Sequence, residues 1–251
     1  MPARVGSSRR PLPRSFYRRP APEVAPDLLG RFLVRQLPGL VLVARIVEVE
    51  AYQEDDPASH SYRGPTARTE VMFGPPGHLY VYFSYGNHWC MNVVTGRTGE
   101  GSAVLLRAAE PLEGLEWMRA ARGVEPLRYL CSGPGKLTQA LGVTNEQNRL
   151  DLVLGEGLYL SAGEPLAVGE IEVGPRVGIS VATEQLWRFY ERESPFVSRA
   201  APSRRQATAK TRKRATGTAT RTGTALGRAS AKAKARASVK ARASVKARAK
   251  G

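Results

Sequence analysis

The stretch RFLVRQLPGLVLVARIVEVEAY, residues 31–52, predicts two β-strands joined by a tight turn. Its apolar halves, 31–37 and 40–52, flank Pro38 and Gly39, a dipeptide that is typical of turns. Both halves are rich in Val, Leu and Ile, which fit a pleated, half-buried surface. The stretch therefore predicts a pair of adjacent strands around which a sheet can form.

The second of these strands has two chemically different faces. Alternate side chains of a strand point to opposite sides of the sheet. One side is predicted to carry apolar residues suited to a core: Val47, Val49 and Ala51. The other side is predicted to carry Glu48, Glu50 and Tyr52, with His60 following shortly after. This polar face fits either a solvated strand or the wall of an active site.

The remaining patterns predict more strands and a few helices. Residues 78–94 predict a hairpin, 102–111 another strand, and 151–183 two or three more. Helices are predicted at 22–30, from Pro111 to Gly123, and after the Gly-Pro turn in 131–142. Residues 53–78 predict a long loop. Because the helices do not alternate regularly with the strands, we expect an α+β fold: a single compact domain with a mixed, mainly antiparallel β-sheet and surrounding helices.

Basic charge is concentrated at the end of the sequence. Sixteen of the 38 Lys and Arg residues lie in 200–251, which has no acidic or aromatic residue, so 1–199 hold 22 basic and 22 acidic residues. Such a segment buries too little apolar surface to offset its ordering entropy, so we expect a disordered tail. Nucleic acid is its expected partner, in preference to an anionic membrane. Residues 1–22, with six Arg and no acid, predict a flexible basic arm, which leaves 23–199 as the folded domain.

The sequence also argues against several classes of protein. It contains no GxGxxG or P-loop motif, no run of roughly 18 apolar residues and no secretory leader. Two cysteines, Cys90 and Cys131, do not make a disulfide framework and indicate a reducing compartment. We expect a cytoplasmic, nucleoid-associated bacterial protein that is monomeric and has no membrane partner, with a nuclear location as the alternative.

Arg107 is a candidate for a buried charge, because apolar residues surround it in VLLRA, 104–108. A buried guanidinium needs a partner, commonly a carboxylate, and Glu48 and Glu50 are both available. On these residues alone, a structural ion pair is preferred to a catalytic role.

Metal and thiol chemistry are the weaker alternatives. His60, Cys90 and Cys131 can be grouped into a ligand set, but the sequence has no CxxC and no HxE motif. The interpretation as a metal site is therefore weak. A cysteine nucleophile with a histidine base is a further alternative. The neighbours of Cys90, Trp89 and Met91, favour a buried and inert thiol.

Two further segments carry residues suited to binding. CSGPGK, 131–136, places Ser132 and glycines ahead of a predicted helix with Lys136 in its first turns. Backbone N–H groups there favour a phosphate, while a plain turn with a serine cap is the commoner alternative. Tyr85 falls at the tip of the predicted hairpin, where an exposed ring is either a binding feature or an incidental surface residue.

Four blocks, taken in order, resemble the alkyladenine (3-methyladenine) DNA glycosylases of the human type. They are EVEAYQEDDPASHSYRG at 48–64, MFGPPGHLYVYFSYGNHWCMN at 72–92, VLLRAAEPLEG at 104–114 and CSGPGKLTQALG at 131–142. The resemblance runs from about Leu28 to Val197, includes RVG at 176–178 and SPFVS at 194–198, and leaves out both basic termini.

The resemblance implies a reaction and a partner. Members of this family act on double-stranded DNA and hydrolyse the N-glycosidic bond of damaged purines such as 3-methyladenine, 7-methylguanine, hypoxanthine and ethenoadenine. They need no metal or other cofactor. They are monofunctional, so the expected product is an intact abasic site.

The resemblance also implies roles for single residues. Glu50 would be the general base that activates water, and Arg107 and a main-chain carbonyl near Val177 would position that water. Tyr52 and Tyr82 would stack on the extruded base and His60 would complete the pocket. Asn92 would exclude normal guanine by crowding its exocyclic amine. Tyr85 would enter the minor groove and fill the gap left by the extruded nucleotide. Glu48, about 6.6 Å along the strand from Glu50, is not expected to share its role and is expected either to be a structural partner or to support the site residues without contacting the substrate.

Two other functions stay open at this level. One is a non-enzymatic protein that binds or compacts DNA with a glycosylase-like body. The other is a hydrolase of free nucleosides. The presence of Glu50, Arg107 and Tyr85 argues against the first, and Tyr85 with the basic tail argues against the second.

Overall fold

The computed structural model describes residues 9–84 and 86–198. The described strands are β1 Phe32–Leu37, β2 Leu40–Tyr52, β3 Leu79–Ser84, β4 His88–Val94, β5 Ala103–Glu113, β6 Leu158–Ser161, β7 Ile171–Gly174 and β8 Arg188–Glu191. The described α-helices are α1 Arg14–Tyr17, α2 Ala21–Leu28, α3 Leu115–Arg122 and α4 Pro134–Ala140. Short 3₁₀ helices lie at Glu70–Phe73, Leu127–Tyr129, Asn145–Gln147 and Val168–Glu170. No helix in these two ranges has the length and apolarity that crossing a membrane requires.

The eight strands form one sheet, and the α+β fold predicted from the sequence is confirmed. Six strands follow the order β3-β4-β5-β2-β1-β6, while β8 pairs with both β2 and β7. The strand pairings within this sheet are antiparallel. The predicted turn between the first two strands is also confirmed. Gly39 there has a φ of 71°, which the second central position of a Pro-Gly turn requires.

Strand β2 changes the face that it turns to the core partway along its length. Leu42, Ala44 and Ile46 belong to the main hydrophobic core, and so do Val49 and Ala51. The change coincides with a register irregularity against β5 between Ile46 and Val49. A bulge of this kind re-aims the side chains that follow it. The predicted apolar face is therefore confirmed for Val49 and Ala51, while Val47 is buried at the irregularity and lies outside the core clusters.

Strand β2 also meets two partners along one edge. Leu40–Arg45 pair with β1, Glu48–Glu50 pair with β8, and β5 occupies the other edge. The second half of β2 is consequently enclosed on both sides, and its two glutamates are fully buried.

The hairpin predicted at 78–94 is formed by β3 and β4. Leu79 and Val81 face the main core, as their alternation predicts. Phe83, the next residue in that series, is instead 50% exposed and lies 4.8 Å from the Trp89 ring between ring centres. The hairpin thus leaves the core near its tip.

Helix α3 begins later than the sequence predicts. Pro111 and Leu112 continue strand β5, where Pro111 pairs with Ala44. Gly114, with a φ of 75°, turns the chain, and the helix starts at Leu115. The predicted end is confirmed, because Gly123 adopts a φ of 62° and donates its N–H to the Arg119 carbonyl at 2.8 Å.

Residues 9–22 pack onto the domain. Tyr17 on α1 is fully buried, and the N–H of Leu12 donates to the Leu160 carbonyl at 2.8 Å. Arg14 forms an ion pair with Asp151 at 2.5 Å. The prediction of a flexible arm over 1–22 is therefore wrong for 9–22, because buried apolar side chains and ion pairs anchor this segment. Residues 1–8 and the predicted tail at 200–251 lie outside the described residues, as does Arg199.

Candidate active site

A cavity of about 750 Å³ opens beside the buried end of β2. The hairpin β3–β4, strand β5, the loop before the hairpin and the segment after β7 all contribute to its wall. Its lining includes most of the residues singled out from the sequence: Tyr52, His60, Tyr82, Asn92, Arg107 and Val177. Segments far apart along the chain thus bring these side chains around one space.

One wall of the cavity is aromatic. The rings of Tyr80 and Tyr82 stack with their centres 5.4 Å apart and their planes at 29°. His60 meets Tyr82 edge-on at 4.6 Å, and its Nδ1 lies 3.0 Å from the Tyr80 hydroxyl. Asn92 is held beside them, because its Nδ2 donates to the Tyr80 carbonyl at 3.2 Å. A planar ring can stack on such a wall.

Glu50 is fully buried and is not itself part of the cavity lining. The Tyr52 hydroxyl donates to its Oε2 at 2.9 Å, and the Val177 N–H donates to its Oε1 at 2.6 Å. Arg107 completes the set, with one terminal nitrogen 3.3 Å from Oε2. All three partners line the cavity, so the carboxylate is held by residues that face the space. Burial and Glu50 together raise the pKa of Tyr52 well above its ordinary value, which keeps the hydroxyl a donor.

Arg107 joins both glutamates of β2. Its Nε donates to Glu48 at 2.9 Å, and another of its nitrogens donates to the Ser198 hydroxyl at 3.1 Å. Burial alone would favour the neutral guanidine, but the Glu50 and Glu48 carboxylates raise the pKa of Arg107 above its ordinary value. The ion pair predicted for Arg107 is confirmed, and it involves both candidate partners.

Glu48 accepts hydrogen bonds on both oxygens. Besides Arg107, its Oε1 accepts from Arg188 at 2.7 Å and from the Ser198 hydroxyl at 2.9 Å. Its Oε2 accepts from the Ser198 N–H at 2.6 Å. The carboxylate is fully buried and lies outside the cavity lining. It contacts Arg107 and the chain after β8 at the same time.

A second buried ion pair holds the Val177 segment. Arg176 binds Asp56 through both terminal nitrogens and donates to the Ala51 carbonyl at 3.1 Å. Its guanidinium also lies 4.6 Å from the centre of the Tyr52 ring. Arg176 thereby positions both Tyr52 and the adjacent Val177 amide, which are two of the three Glu50 partners.

His60 is neutral at physiological pH. Burial is the main cause and the nearby positive charge of Arg68 the second, and together they lower the pKa of His60 to about 4. Arg68 itself lines the cavity. A neutral imidazole can donate through one nitrogen and accept through the other, so it can read the edge of a ring without repelling a cationic one.

The two thiols are buried, and neither is in a disulfide. Burial raises the pKa of the Cys131 thiol to about 12. It also raises the pKa of Cys90, although hydrogen bonds with Tyr82 and Ser84 act in the opposite direction. A raised pKa disfavours the thiolate that nucleophilic catalysis needs. Across 9–84 and 86–198, no group of three His, Cys, Asp or Glu side chains is arranged to hold a metal ion.

The other candidates lie at or beyond the rim of the cavity. Lys136 is exposed and donates to the Ser132 hydroxyl at 3.3 Å. Neither residue lines the cavity, but Pro134 between them does. Helix α4 approaches the hairpin closely, since a Cβ on Gly135 would come within 2.5 Å of the His88 ring. Tyr85 lies outside the described residues.

Sequence patterns missed four charged residues of the site: Asp56, Arg68, Arg176 and Arg188. Asp56 and Arg68 lie in the long loop at 53–78, where a polar residue is unremarkable. Arg176 begins the RVG block, so the block marked its place but not its contacts. The sequence around Arg188 does not mark it as a site residue, because its contact with Glu48 depends on the pairing of β8 with β2.

A buried carboxylate, braced by an arginine that lines an aromatic cavity, is suited to an enzyme that hydrolyses a bond to a planar ring. The chain belongs to the methylpurine-DNA glycosylase family, whose model matches residues 15–195. The match begins upstream of the expected limit at Leu28, so residues 15–22 of the predicted arm are part of it. The protein is accordingly a DNA glycosylase, a hydrolase of N-glycosyl bonds.

Proteins from bacteria and archaea are similar over the same region. A protein of Carboxydothermus hydrogenoformans is 50% identical over 188 residues, which cover 75% of this chain and 98% of the relative. One from Rhodopseudomonas palustris strain BisB18 is 54% identical over 188 residues, covering 75% and 90%. One from Methanocella arvoryzae is 48% identical over 196 residues, covering 76% and 97%. All three bear the name "Putative 3-methyladenine DNA glycosylase".

Proposed function

We propose that the protein excises damaged purines, with 3-methyladenine, 7-methylguanine, hypoxanthine and ethenoadenine as substrates, from double-stranded DNA. The names of the similar proteins support the first of these substrates. The observation that carries the mechanism is the fully buried Glu50 carboxylate, held by Tyr52, Arg107 and Val177, three residues that line the aromatic cavity. The enzyme is monofunctional and uses neither metal nor cofactor.

The cavity receives a purine that has been rotated out of the duplex. A base inside the stack is inaccessible, and extruding it costs a few kcal/mol. Stacking on an aromatic ring returns roughly 1–3 kcal/mol per base. Tyr82 and Tyr52 provide that surface, and His60 contacts the edge of the ring. Alkylation at N3 or N7 makes the purine cationic, which strengthens its attraction to the rings and improves it as a leaving group.

Glu50 acts as the general base. A water molecule reaches the carboxylate from the cavity between Tyr52, Arg107 and Val177, and the Val177 carbonyl helps to hold it. As the bond between C1′ and N9 breaks, the electron pair leaves with the purine and the sugar gains oxocarbenium character. The water oxygen bonds to C1′ and its proton passes to Glu50. The product is an abasic site with a hydroxyl at C1′ and an uncut strand.

Asn92 sets the discrimination against normal guanine. Its side chain is buried at the cavity wall and its amide is tied to the Tyr80 carbonyl. A fixed group cannot move aside for an exocyclic amine, so a purine with an amino group at C2 fits poorly.

DNA contacts surround the cavity. Tyr85, between the described residues Ser84 and Gly86, enters the minor groove and compensates in part for the extruded base. Ser132 and Lys136 contact the phosphate backbone beside Pro134. The enzyme works as a monomer on chromosomal DNA in a bacterial cytoplasm.

A single-turnover assay tests the assignment. Duplex oligonucleotides carrying one hypoxanthine, ethenoadenine, 7-methylguanine or 3-methyladenine are incubated with wild type and with Glu50→Gln, and alkali then cleaves any abasic site. We expect alkali-dependent breaks with wild type and a rate at least about 100-fold lower with Glu50→Gln, because general-base catalysis contributes about 10²–10⁴-fold. DNA binding should persist in the variant. Wild-type rates in Glu50→Gln would refute the base, and intact DNA with all four lesions would refute the substrates.

A further inference from the structure

All three nitrogens of the Arg107 guanidinium have a partner. One nitrogen binds Glu48, one approaches Glu50 and one binds Ser198. A guanidinium with all three nitrogens engaged cannot rotate without breaking a buried contact. The contacts of Arg107 with Glu48 and Ser198 therefore fix the position of the nitrogen that lies beside Glu50.

Two carboxylates and two guanidinium groups lie together at this point of the sheet, so their charges balance. Glu48 and Glu50, both fully buried on β2, meet Arg107 from β5 and Arg188 from β8. If Glu48 were absent, Arg107 and Arg188 would both face Glu50 as the nearest carboxylate of β2. Opposite charge within about 4–6 Å favours the ionised form of a carboxylate and weakens it as a base. Glu48 thus reduces the positive charge that acts on the Glu50 carboxylate.

We propose that Glu48 is a positioning residue that sets the strength of Glu50 as a base by sharing Arg107 with it. This inference rests on the proposed role of Glu50. Glu48 is bound by Arg107, Arg188 and Ser198, and of these three residues only Arg107 lines the cavity, so Glu48 reaches the site through Arg107. It acts by holding the Nε side of Arg107 and by offsetting part of the guanidinium charge. Glu50 then has one contact with Arg107, at 3.3 Å, instead of a bidentate ion pair with the guanidinium.

Besides Glu48, Arg107 and Arg188, the charged and titratable side chains that interact with Glu50 are Tyr52, Tyr82, Cys90 and Arg176. They are the same in every variant and so cannot produce a difference between variants. None of these is altered in the experiment below.

The experiment measures single-turnover cleavage of the duplex that wild type cleaves fastest, at pH values from 4.5 to 8. The acid limb of that profile reports protonation of the base. In Glu48→Gln, Glu50 is the one carboxylate of the described residues that still pairs with Arg107. We therefore expect the acid limb to move to lower pH by on the order of one unit and the plateau rate to fall. Arg188→Met removes a positive charge from the other side of Glu48, so we expect the limb to move in the opposite direction. Glu48→Asp keeps the charge and should leave the limb within a few tenths of a unit of wild type.

Arg45→Met is the matched control. Arg45 is on the same strand, is paired with two carboxylates, Glu110 and Glu191, and is five residues away from Glu50, or about 16 Å along a strand. It should leave the limb unmoved. Thermal unfolding of each variant shows whether it is folded, and Arg188→Met with Glu48→Asp carries the test if Glu48→Gln does not fold.

The outcomes separate this inference from the function on which it rests. A limb that stays at the wild-type pH in Glu48→Gln, or that moves the same way in Glu48→Gln and Arg188→Met, overturns the inference while Glu50 remains the base. Loss of the acid limb from the wild-type profile, or undiminished cleavage by Glu50→Gln, overturns the proposed function and the inference together.

Discussion

Asp56 and Arg176 form an ion pair whose side chains are completely buried, and the pair joins two walls of the cavity. Asp56 precedes the Pro57–His60 segment of one wall, and Arg176 precedes the Val177–Val181 segment of another. The ion pair therefore links these two segments directly, through two fully buried charged side chains.

Breaking this pair should destabilise the protein strongly. Asp56→Asn leaves the Arg176 charge buried without its anion, which costs about 3–5 kcal/mol in comparable cases. Urea unfolding followed by circular dichroism measures the loss. The exposed pair of Arg19 and Asp27 is the matched control, and Asp27→Asn should cost less than about 1 kcal/mol. Equal losses in the two variants would show that the buried pair has no special role.

The imidazole of His60 should titrate near pH 4. Its pKa lies below the ordinary 6.5, so the unfolded chain binds a proton at a higher pH than the folded protein does. The contribution of His60 to the free energy of unfolding is therefore lost as the pH falls from about 6.5 to about 4. NMR of the imidazole signals checks the midpoint directly.

Arg68 should account for part of that depression. Arg68→Gln removes a positive charge and should raise the midpoint of His60, while burial keeps it below 6.5. Arg63→Gln, in the same loop, is the control and should leave the midpoint unchanged. An imidazole that titrates between 6 and 7 in the wild type would contradict the buried, neutral assignment.

Cys90 should be dispensable for the chemical step, although its thiol lines the cavity. Its raised pKa leaves almost no thiolate at neutral pH, so a thiol nucleophile is disfavoured. We expect Cys90→Ala to cleave the lesion duplexes within about tenfold of the wild-type rate, against a loss of at least about 100-fold for Glu50→Gln. A deficit in Cys90→Ala as large as that of Glu50→Gln would restore the thiol mechanism.

Deleting 200–251, which lie outside the described residues, should change DNA binding more than catalysis. This segment contributes 16 positive charges, and each neutralised phosphate steepens the dependence of affinity on salt. We expect a shallower slope of log affinity against log salt in the truncated chain. Its single-turnover rate at saturating enzyme should match that of the full chain. A large fall in that rate would assign the tail a part in the reaction.

The sequence predicted most of the sheet, because strands β1 to β5 depend on local alternation and on turns such as Pro38-Gly39. It did not predict where β2 changes face, since that follows from a register irregularity with β5, a strand about 60 residues away. The prediction that a helix begins at Pro111 was wrong. Proline is favourable in the first turn of a helix, but here the residue pairs with Ala44 and continues strand β5. Strand β8 was missed because RFYE has no alternation of its own and is defined by two partners.

The residues of the site were predicted mainly through the family blocks, and their contacts were not. Spacing alone shows neither that Arg107 contacts both glutamates nor that the Val177 N–H, 127 residues from Glu50, is one of its donors. Such contacts are set by the pairing of distant strands. The long loop predicted at 53–78 supplies His60, Arg68 and Asp56 to the site, although the sequence did not show which of its polar residues are used.

The enclosure of β2 by a late strand has a consequence for synthesis on the ribosome. Residues 32–113 contain the first five strands and can form most of the sheet while the chain is still growing. Val177, Arg188 and Ser198, which donate hydrogen bonds to the two glutamates, emerge after these strands. A nascent chain therefore lacks these donors to Glu48 and Glu50 until residues 177–198 have left the exit tunnel, so the site is assembled only after translation has passed Ser198.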